Sequence, residues 1–411
     1  MPAEADRTAE RVARESYGRL IAFLVARTRD VAGAEDALSE AFAAALRSWP
    51  VDGVPDNPDA WLLTAARRRQ LDHAKRGRTR QAGEAQLQLI ADEIAAMADE
   101  RTAIPDRRLA LMFACAHPAI ERSLRAPLIL QTIVGLTAED IAAAFLLPPK
   151  TMGQRLVRAK LRIREAGIPF RVPEAEELPE RLAAVLDAIY AAYTKGWSEV
   201  GDDALPELAH EALWLGQLIV SLLPNEPEAK GMLALMFHTA ARSSARRDAA
   251  GAYVPLERQD TQLWDRSLLA SAESLLRQAN SAGPSGRYQL EAAIQSAHVA
   301  RRLSGVANWP IVVALYDHLL ALTDSPVVIL NRAVARAEVD GPSAALADLT
   351  PLEADKRLLS YQPYWAAKGH LLALAGNAAA ASEALTIAIG LTTDDAVKGY
   401  LLRRLASLKP N

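Results

Sequence analysis

Residues 136–164 read L-T-A-E-D-I-A-A-A-F-L-L-P-P-K-T-M-G-Q-R-L-V-R-A-K-L-R-I-R, and this stretch decides the fold. Apolar residues recur at helical spacing on both sides of Leu146–Pro149, which predicts a helix, a short turn and a second helix. Thr137 is placed to cap the first helix, with Asp140 three residues on. The stripe of the second helix that we expect to be buried consists of Met152, Leu156, Ala159 and Ile163.

The other side of the predicted second helix is basic. It carries Lys150, Gln154, Arg155, Arg158 and Arg162. Arginine and glutamine can read guanine and adenine edges in the major groove, so a helix-turn-helix DNA reader fits the pattern. An ordinary basic amphipathic helix fits it as well. The residues predicted to contact DNA here are Lys150, Thr151, Gln154, Arg155 and Arg158.

A second basic cluster follows a proline-rich segment, 49–58, that we expect to be a loop. The predicted helix from about 59 to 75 carries Trp61 and Leu62 on one side and arginines on the other. Such a cluster can bind phosphates without sequence preference, or it can be a solvated helix face. Trp49 and Trp61 flank the loop, and we expect Trp61 to be a core residue. The candidate phosphate-binding residues are Arg67, Arg68, Arg69, Lys75 and Arg76.

The rest of the chain also reads as helices, so the predicted fold class is all-α. Half of the 411 residues are hydrophobic and only 5% are aromatic, a composition that favours alanine- and leucine-rich helices. Two helices are expected within 8–47, a linker at 78–106, and helices of about 12 to 16 residues from Leu178 onward. One late pair has tetratricopeptide-like spacing, carried by Trp365, Gly369, Leu372, Gly376, Ala381, Leu385 and Ala388.

Composition excludes several classes of protein. Cys115 is the one cysteine, so no disulfide framework can form within the chain. The net charge is -3, but residues 1–170 hold 25 Lys and Arg against 22 Asp and Glu, and the rest is acidic. We see no signal peptide, membrane span, phosphate-binding loop or metalloprotease motif. We therefore predict a cytoplasmic protein that is not an enzyme, has no cofactor and has no metal site.

Together, three segments resemble extracytoplasmic-function (ECF) sigma factors of bacterial RNA polymerase. Residues 34–42 (A-E-D-A-L-S-E-A-F) resemble the polymerase-docking helix of that family, and 61–72 resemble its promoter-melting helix. Residues 136–164 resemble its second DNA-binding domain. The segment from about 175 onward resembles the tetratricopeptide-like (TPR-like) extension of one subgroup.

The resemblance implies four parts: sigma region 2 at 8–77, a linker at 78–106, sigma region 4 at 107–168 and a helical-repeat domain at 175–411. It implies that core RNA polymerase and promoter DNA are partners, and it leaves room for a protein partner on the C-terminal repeats. Two alternatives stay open: a helix-turn-helix regulator with a sensing tail, and a repeat scaffold with no DNA role. The residues that the resemblance implies for polymerase binding are Glu35, Asp36, Leu38, Glu40 and Phe42.

Overall fold

Alanine- and leucine-rich segments form helices along the whole described chain, and the all-α prediction is confirmed. The computed structural model describes residues 2–77, 107–145, 147–174, 176–198, 207–281 and 285–408. The predicted linker at 78–106 therefore lies outside the described residues. Apart from one isolated bridge between Arg247 and Tyr253, these residues contain no β structure. None of the described helices is long and apolar enough to cross a membrane.

The chain divides into two compact units, the first of which comprises residues 1–196 and 207–209. It contains eight described helices, and a π-helical turn, Leu130–Val134, directly follows the helix Arg122–Ile129. The eight helices are α1 (Pro2–Thr28), α2 (Val31–Asp52), α3 (Pro58–Gly77), α4 (Arg108–Cys115), α5 (Arg122–Ile129), α6 (Ala138–Ala144), α7 (Pro149–Glu165) and α8 (Leu178–Ser198). The unit includes most of α8, although the expected domain boundary near 175 lies before that helix.

Helix α1 is the centre of this unit because it contacts α2, α3, α4 and the π-helical turn. Leu20, Ile21 and Leu24 on α1 are almost completely buried. Gly18 lets the backbone of α1 approach the Ile133 carbonyl so closely that a Cβ atom would overlap it. The segments predicted as sigma regions 2 and 4 therefore share one core in this structure.

The predicted loop at 49–58 is wrong in its first part, because α2 continues through Pro50 to Asp52. A proline in the last turn removes one backbone hydrogen bond but does not stop a helix that ends two residues later. The turn is made instead at Gly53, whose φ is 90° and whose N–H donates to the Trp49 carbonyl. Trp49 is buried and meets Trp61 edge to face, with the ring centroids 5.5 Å apart.

The two helices predicted within 136–164 are present as α6 and α7. Thr137 caps α6, because its hydroxyl accepts from the Asp140 N–H at 3.1 Å. The predicted stripe of α7 is at most 5% exposed at each position, and α7 packs against α6. Leu146, in the turn between them, lies outside the described residues.

The second unit, residues 197–206 and 210–411, is a series of consecutive helices joined by short turns. Its helices are α9 (Glu207–Leu222, whose first residues belong to the first unit), α10 (Pro227–Ala240), α11 (Arg266–Asn280), α12 (Arg287–Ser304), α13 (Trp309–Leu322), α14 (Pro326–Asp340), α15 (Pro342–Leu349), α16 (Gln362–Leu374), α17 (Ala378–Leu391) and α18 (Asp395–Ala406). Between Ala241 and Asp265 the chain forms an irregular segment with short 3₁₀ turns.

The pair α16–α17 shows how small residues set the spacing in this unit. A Cβ on Gly369 would lie 2.9 Å from Leu385 Cγ and 3.3 Å from the Ala381 carbonyl, so only glycine allows this approach. Gly376 makes the turn between the helices with a φ of 79°. The helix pair expected from the spacing of Gly369, Gly376 and Ala381 is therefore present.

Candidate nucleic-acid interface

The exposed face of α7 carries the residues predicted to contact DNA. Lys150, Thr151, Gln154 and Arg158 are exposed, as a major-groove reader requires. Pro149 occupies the first turn, where its missing N–H costs no helical hydrogen bond. Lys150 and Arg158 give this face a positive charge, because neither of them forms an ion pair within the described residues.

Arg155 differs from its neighbours because it is already engaged within the protein. Its guanidinium lies 2.5 Å from the Glu121 carboxylate and 2.7 Å from the Ser123 hydroxyl. Glu121 begins α5, and its pKa is lowered by the Ser123 hydrogen bond and by Arg155. The Glu121 side chain is 60% exposed, so this ion pair is worth little and DNA can compete for Arg155.

Lys160 lies on the opposite side of α7 and faces α2. Its ammonium is 2.5 Å from a Glu35 carboxylate oxygen, and the two side chains are only 9% and 18% exposed. Burial raises the pKa of Glu35, and Lys160 opposes that rise. Arg164, one turn further on, lies 3.3 Å from Asp30 at the start of α2. Two ion pairs therefore join α7 to α2.

The residues expected to bind polymerase do not form one free face on α2. Leu38 is completely buried in the core and is not exposed on this helix. Glu35 is held by Lys160, and Glu40 pairs with Arg69 at 2.9 Å. Asp36 is exposed and Phe42 is half-buried.

The arginines of the α3 cluster differ in how far they are buried. Arg67 is 7% exposed and stacks over the Phe23 ring, with 4.7 Å between the guanidinium carbon and the ring centroid. The side chain is covered by α1 and is not exposed to phosphates in this structure. Arg68 and Arg69 are exposed and remain accessible to phosphates. Lys75 and Arg76 are in the last turn of α3, and their side chains lie outside the described part of the structure.

Sequence reasoning missed the ion pairs between α2 and α7, although a signal was present. Lys160 stands four residues after Leu156 and three before Ile163, so it lies at the edge of the buried stripe. Glu35 stands in the same relation to Val31 and Leu38. Such a position marks a charged side chain as a candidate for burial, but it does not show which helix supplies the partner.

The described residues contain no group of three or more His, Cys, Asp or Glu side chains placed to hold a metal ion. Cys115 is completely buried and lies 3.5 Å from the Thr132 hydroxyl, and burial raises the pKa of its thiol to about 12. The cysteine therefore packs in the core.

Comparison with known proteins identifies the N-terminal segment. Residues 12–80 match Sigma-70 region 2, and residues 181–280 match a family of unknown function, DUF6596. An uncharacterized protein of Rhizobium meliloti (strain 1021) is 36% identical over 386 residues, which cover 91% of this chain and 90% of the relative. No solved structure matches the chain.

Proposed function

This chain belongs to the family of the uncharacterized Rhizobium meliloti protein and carries a Sigma-70 region 2 domain, and on that premise we propose that it is an ECF-type sigma factor. The observation that carries the proposal is the order of its parts. The segment that matches region 2 is followed by the helix pair α6–α7, and α7 exposes Lys150 and Arg158, which form no ion pair within the described residues. A sigma factor needs both parts, one to engage polymerase and the -10 element and one to engage the -35 element.

The proposed division of roles follows from exposure. Lys150, Thr151, Gln154 and Arg158 contact the -35 element, joined by Arg155 once it leaves Glu121. Arg68 and Arg69 contact promoter phosphates near the -10 element, where base extraction costs a few kcal/mol that phosphate contacts must offset. Asp36, Glu40 and Phe42 contact core RNA polymerase directly.

Glu35 becomes available to polymerase only if α2 and α7 separate. We call this arrangement of the first unit the closed form, because α7 covers Glu35 on the proposed docking helix α2. Reaching two separate promoter elements also requires this separation. The predicted linker at 78–106 is the segment that would span between them.

The TPR-like character of the second unit is part of the proposal. Stacked helical pairs make extended surfaces suited to binding a protein partner. We infer that this unit is needed for activation. A truncation for testing this should end at Ser198, because α8 packs on the first unit through ion pairs such as Lys195–Asp140, at 3.0 Å. Full activity of this variant, once its folding is checked, would contradict the inference.

Equilibrium binding to core RNA polymerase separates the proposed function from its alternatives. A sigma factor co-elutes with core enzyme and binds promoter DNA tightly only as part of that complex. A helix-turn-helix regulator binds specific duplex DNA alone and does not bind core enzyme. A repeat scaffold does neither, and either of these two results would refute the proposal.

A further inference from the structure

An open pocket of about 420 Å³ lies in the second unit. One wall comes from residues 248–258 of the irregular segment, and the other comes from α18. The residues that line the pocket include Ala252, Tyr253, Val254, Arg258, Tyr400 and Arg403. The volume is sufficient for a small organic molecule.

The irregular wall of the pocket is held in place by a dense set of hydrogen bonds. Asp248 accepts from the N–H groups of Ala250 and Ala252, each at 2.9 Å. Arg247 forms an ion pair with Asp394 at 3.1 Å, and Asp394 in turn caps the start of α18. This pair ties the segment to the helix opposite. The pocket is therefore a built feature and not a gap beside a loose loop.

Two tyrosines join the walls of the pocket. The rings of Tyr253 and Tyr400 meet edge to face, with their centroids 5.4 Å apart. Burial raises the pKa of Tyr253, so this phenol is neutral at physiological pH. With Val254 and Pro255 beside them, the rings offer a mainly apolar lining on which a flat group can pack.

Two arginines in the lining have no anionic partner. Within the described residues, neither the Arg258 nor the Arg403 side chain forms an ion pair or a hydrogen bond, whereas Arg247 nearby is fully engaged. The one acid in the lining, Asp248, is used by the backbone of the irregular segment. Two cations that line one small cavity without an anion favour a negatively charged ligand.

We propose that this pocket binds a small organic anion, a carboxylate or phosphate attached to a compact aromatic body. The guanidinium groups of Arg258 and Arg403 hold the anionic group, and the tyrosine rings hold the body. The proposal does not depend on the sigma function, because the pocket lies wholly within the second unit.

The test measures binding of defined probes to the full-length protein by ligand-observed NMR. Two anions, 4-hydroxybenzoate and phenyl phosphate, distinguish a carboxylate ligand from a phosphate ligand. Neutral 4-hydroxybenzamide and inorganic phosphate test whether charge or shape alone suffices. The expected result is binding of at least one aromatic anion with a Kd below about 1 mM, and at least tenfold weaker binding of the amide and of inorganic phosphate.

Variants assign the binding to this pocket. The double variant Arg258→Gln/Arg403→Gln should weaken binding about tenfold or more, while the fold is retained because both side chains are exposed. Arg277→Gln is the matched control, since it removes an exposed, unpaired arginine of the same unit on α11. Ala252→Trp fills the cavity without changing its charge and should also abolish binding.

Three results would overturn the proposal. Neither aromatic anion binds at about 10 mM. The double variant binds as tightly as the unmodified protein. Inorganic phosphate binds as well as the aromatic anions, which would make this a surface anion contact only.

Discussion

The buried pair Lys160–Glu35 makes a sharp prediction about the closed form. Removing one partner of a fully buried ion pair costs about 3–5 kcal/mol, and an exposed pair is worth at most about 1 kcal/mol. The two side chains are only 9% and 18% exposed, so the cost of removing Lys160 should be close to that of a fully buried pair. Lys160→Met should therefore destabilise the contact between α7 and α2 by about 2–3 kcal/mol.

The same loss should strengthen binding to polymerase. We assume that core enzyme binds only the open form, in which α2 and α7 are separated. Each 1.4 kcal/mol by which the closed form is destabilised then raises the apparent affinity for core enzyme up to tenfold. Lys160→Met should then bind core RNA polymerase more tightly, by up to about 30- to 140-fold, measured by fluorescence anisotropy. Lys160 faces inward, so the variant leaves the exposed face of α7 unchanged.

Two further variants control this experiment. Arg162→Met removes one positive charge from the exposed side of the same helix and should leave both stability and polymerase affinity almost unchanged. The double variant Glu35→Gln/Lys160→Met should lose less stability in urea than the two single variants together, by at least about 1 kcal/mol. Additive losses, or a Lys160→Met affinity equal to that of the unmodified protein, would refute the reasoning.

Other perturbations test separate features of the structure. Arg158→Ala should weaken binding of the sigma–polymerase complex to a cognate -35 element by about 10- to 100-fold but not to a scrambled one; equal losses on both would make Arg158 a phosphate contact. Gly18→Ala should destabilise the first unit by about 2 kcal/mol or more in urea unfolding, because its Cβ overlaps the Ile133 carbonyl. Gly153→Ala, whose Cβ meets only Ala138 at 3.7 Å, should stabilise it by about 0.5–1 kcal/mol, and similar effects of the two changes would argue against the tight α1 contact. Burial lowers the pKa of His298 to about 4, below its value near 6.5 in the unfolded chain, so the unfolded state binds the extra proton between these values. The free energy of unfolding should therefore fall as pH falls through that window, by about 1.4 kcal/mol per unit, and His298→Gln should flatten the slope; an unchanged slope would mean that His298 is solvated. The Cys115 thiol should not react with an aromatic disulfide reagent at pH 8 until urea is added, and rapid reaction of the native protein would contradict its burial.

Local patterns of the sequence were enough to predict the all-α fold and the two helices α6 and α7. The stripe Met152, Leu156, Ala159 and Ile163 is buried as its spacing indicates, and Thr137 caps α6 as expected. Both features depend on residues at most four positions apart, so the sequence of one helix is enough to predict each of them. The predicted domain boundaries and DNA contacts stay predictions.

The sequence misled where a charged residue lies beside a buried stripe. Arg67 follows Leu63 by four residues and is drawn against Phe23 of α1, a partner forty-four residues earlier in the chain. Lys160 is one of six basic residues in Lys150–Arg164, and composition alone cannot show which of them turns inward. Their partners come from other helices, so their burial depends on tertiary packing that no local pattern contains.

Transcription of genomic DNA by purified core RNA polymerase, with sequencing of the transcript 5′ ends, tests the central claim most directly because every promoter in the genome is offered at once. Adding this chain, with cell extract supplied in a parallel reaction for an activating partner, should create a discrete set of start sites that share -10 and -35 elements. Arg158→Ala should reduce initiation from those sites. A set of start sites identical to that of core enzyme without the chain, in both reactions, would contradict a sigma factor.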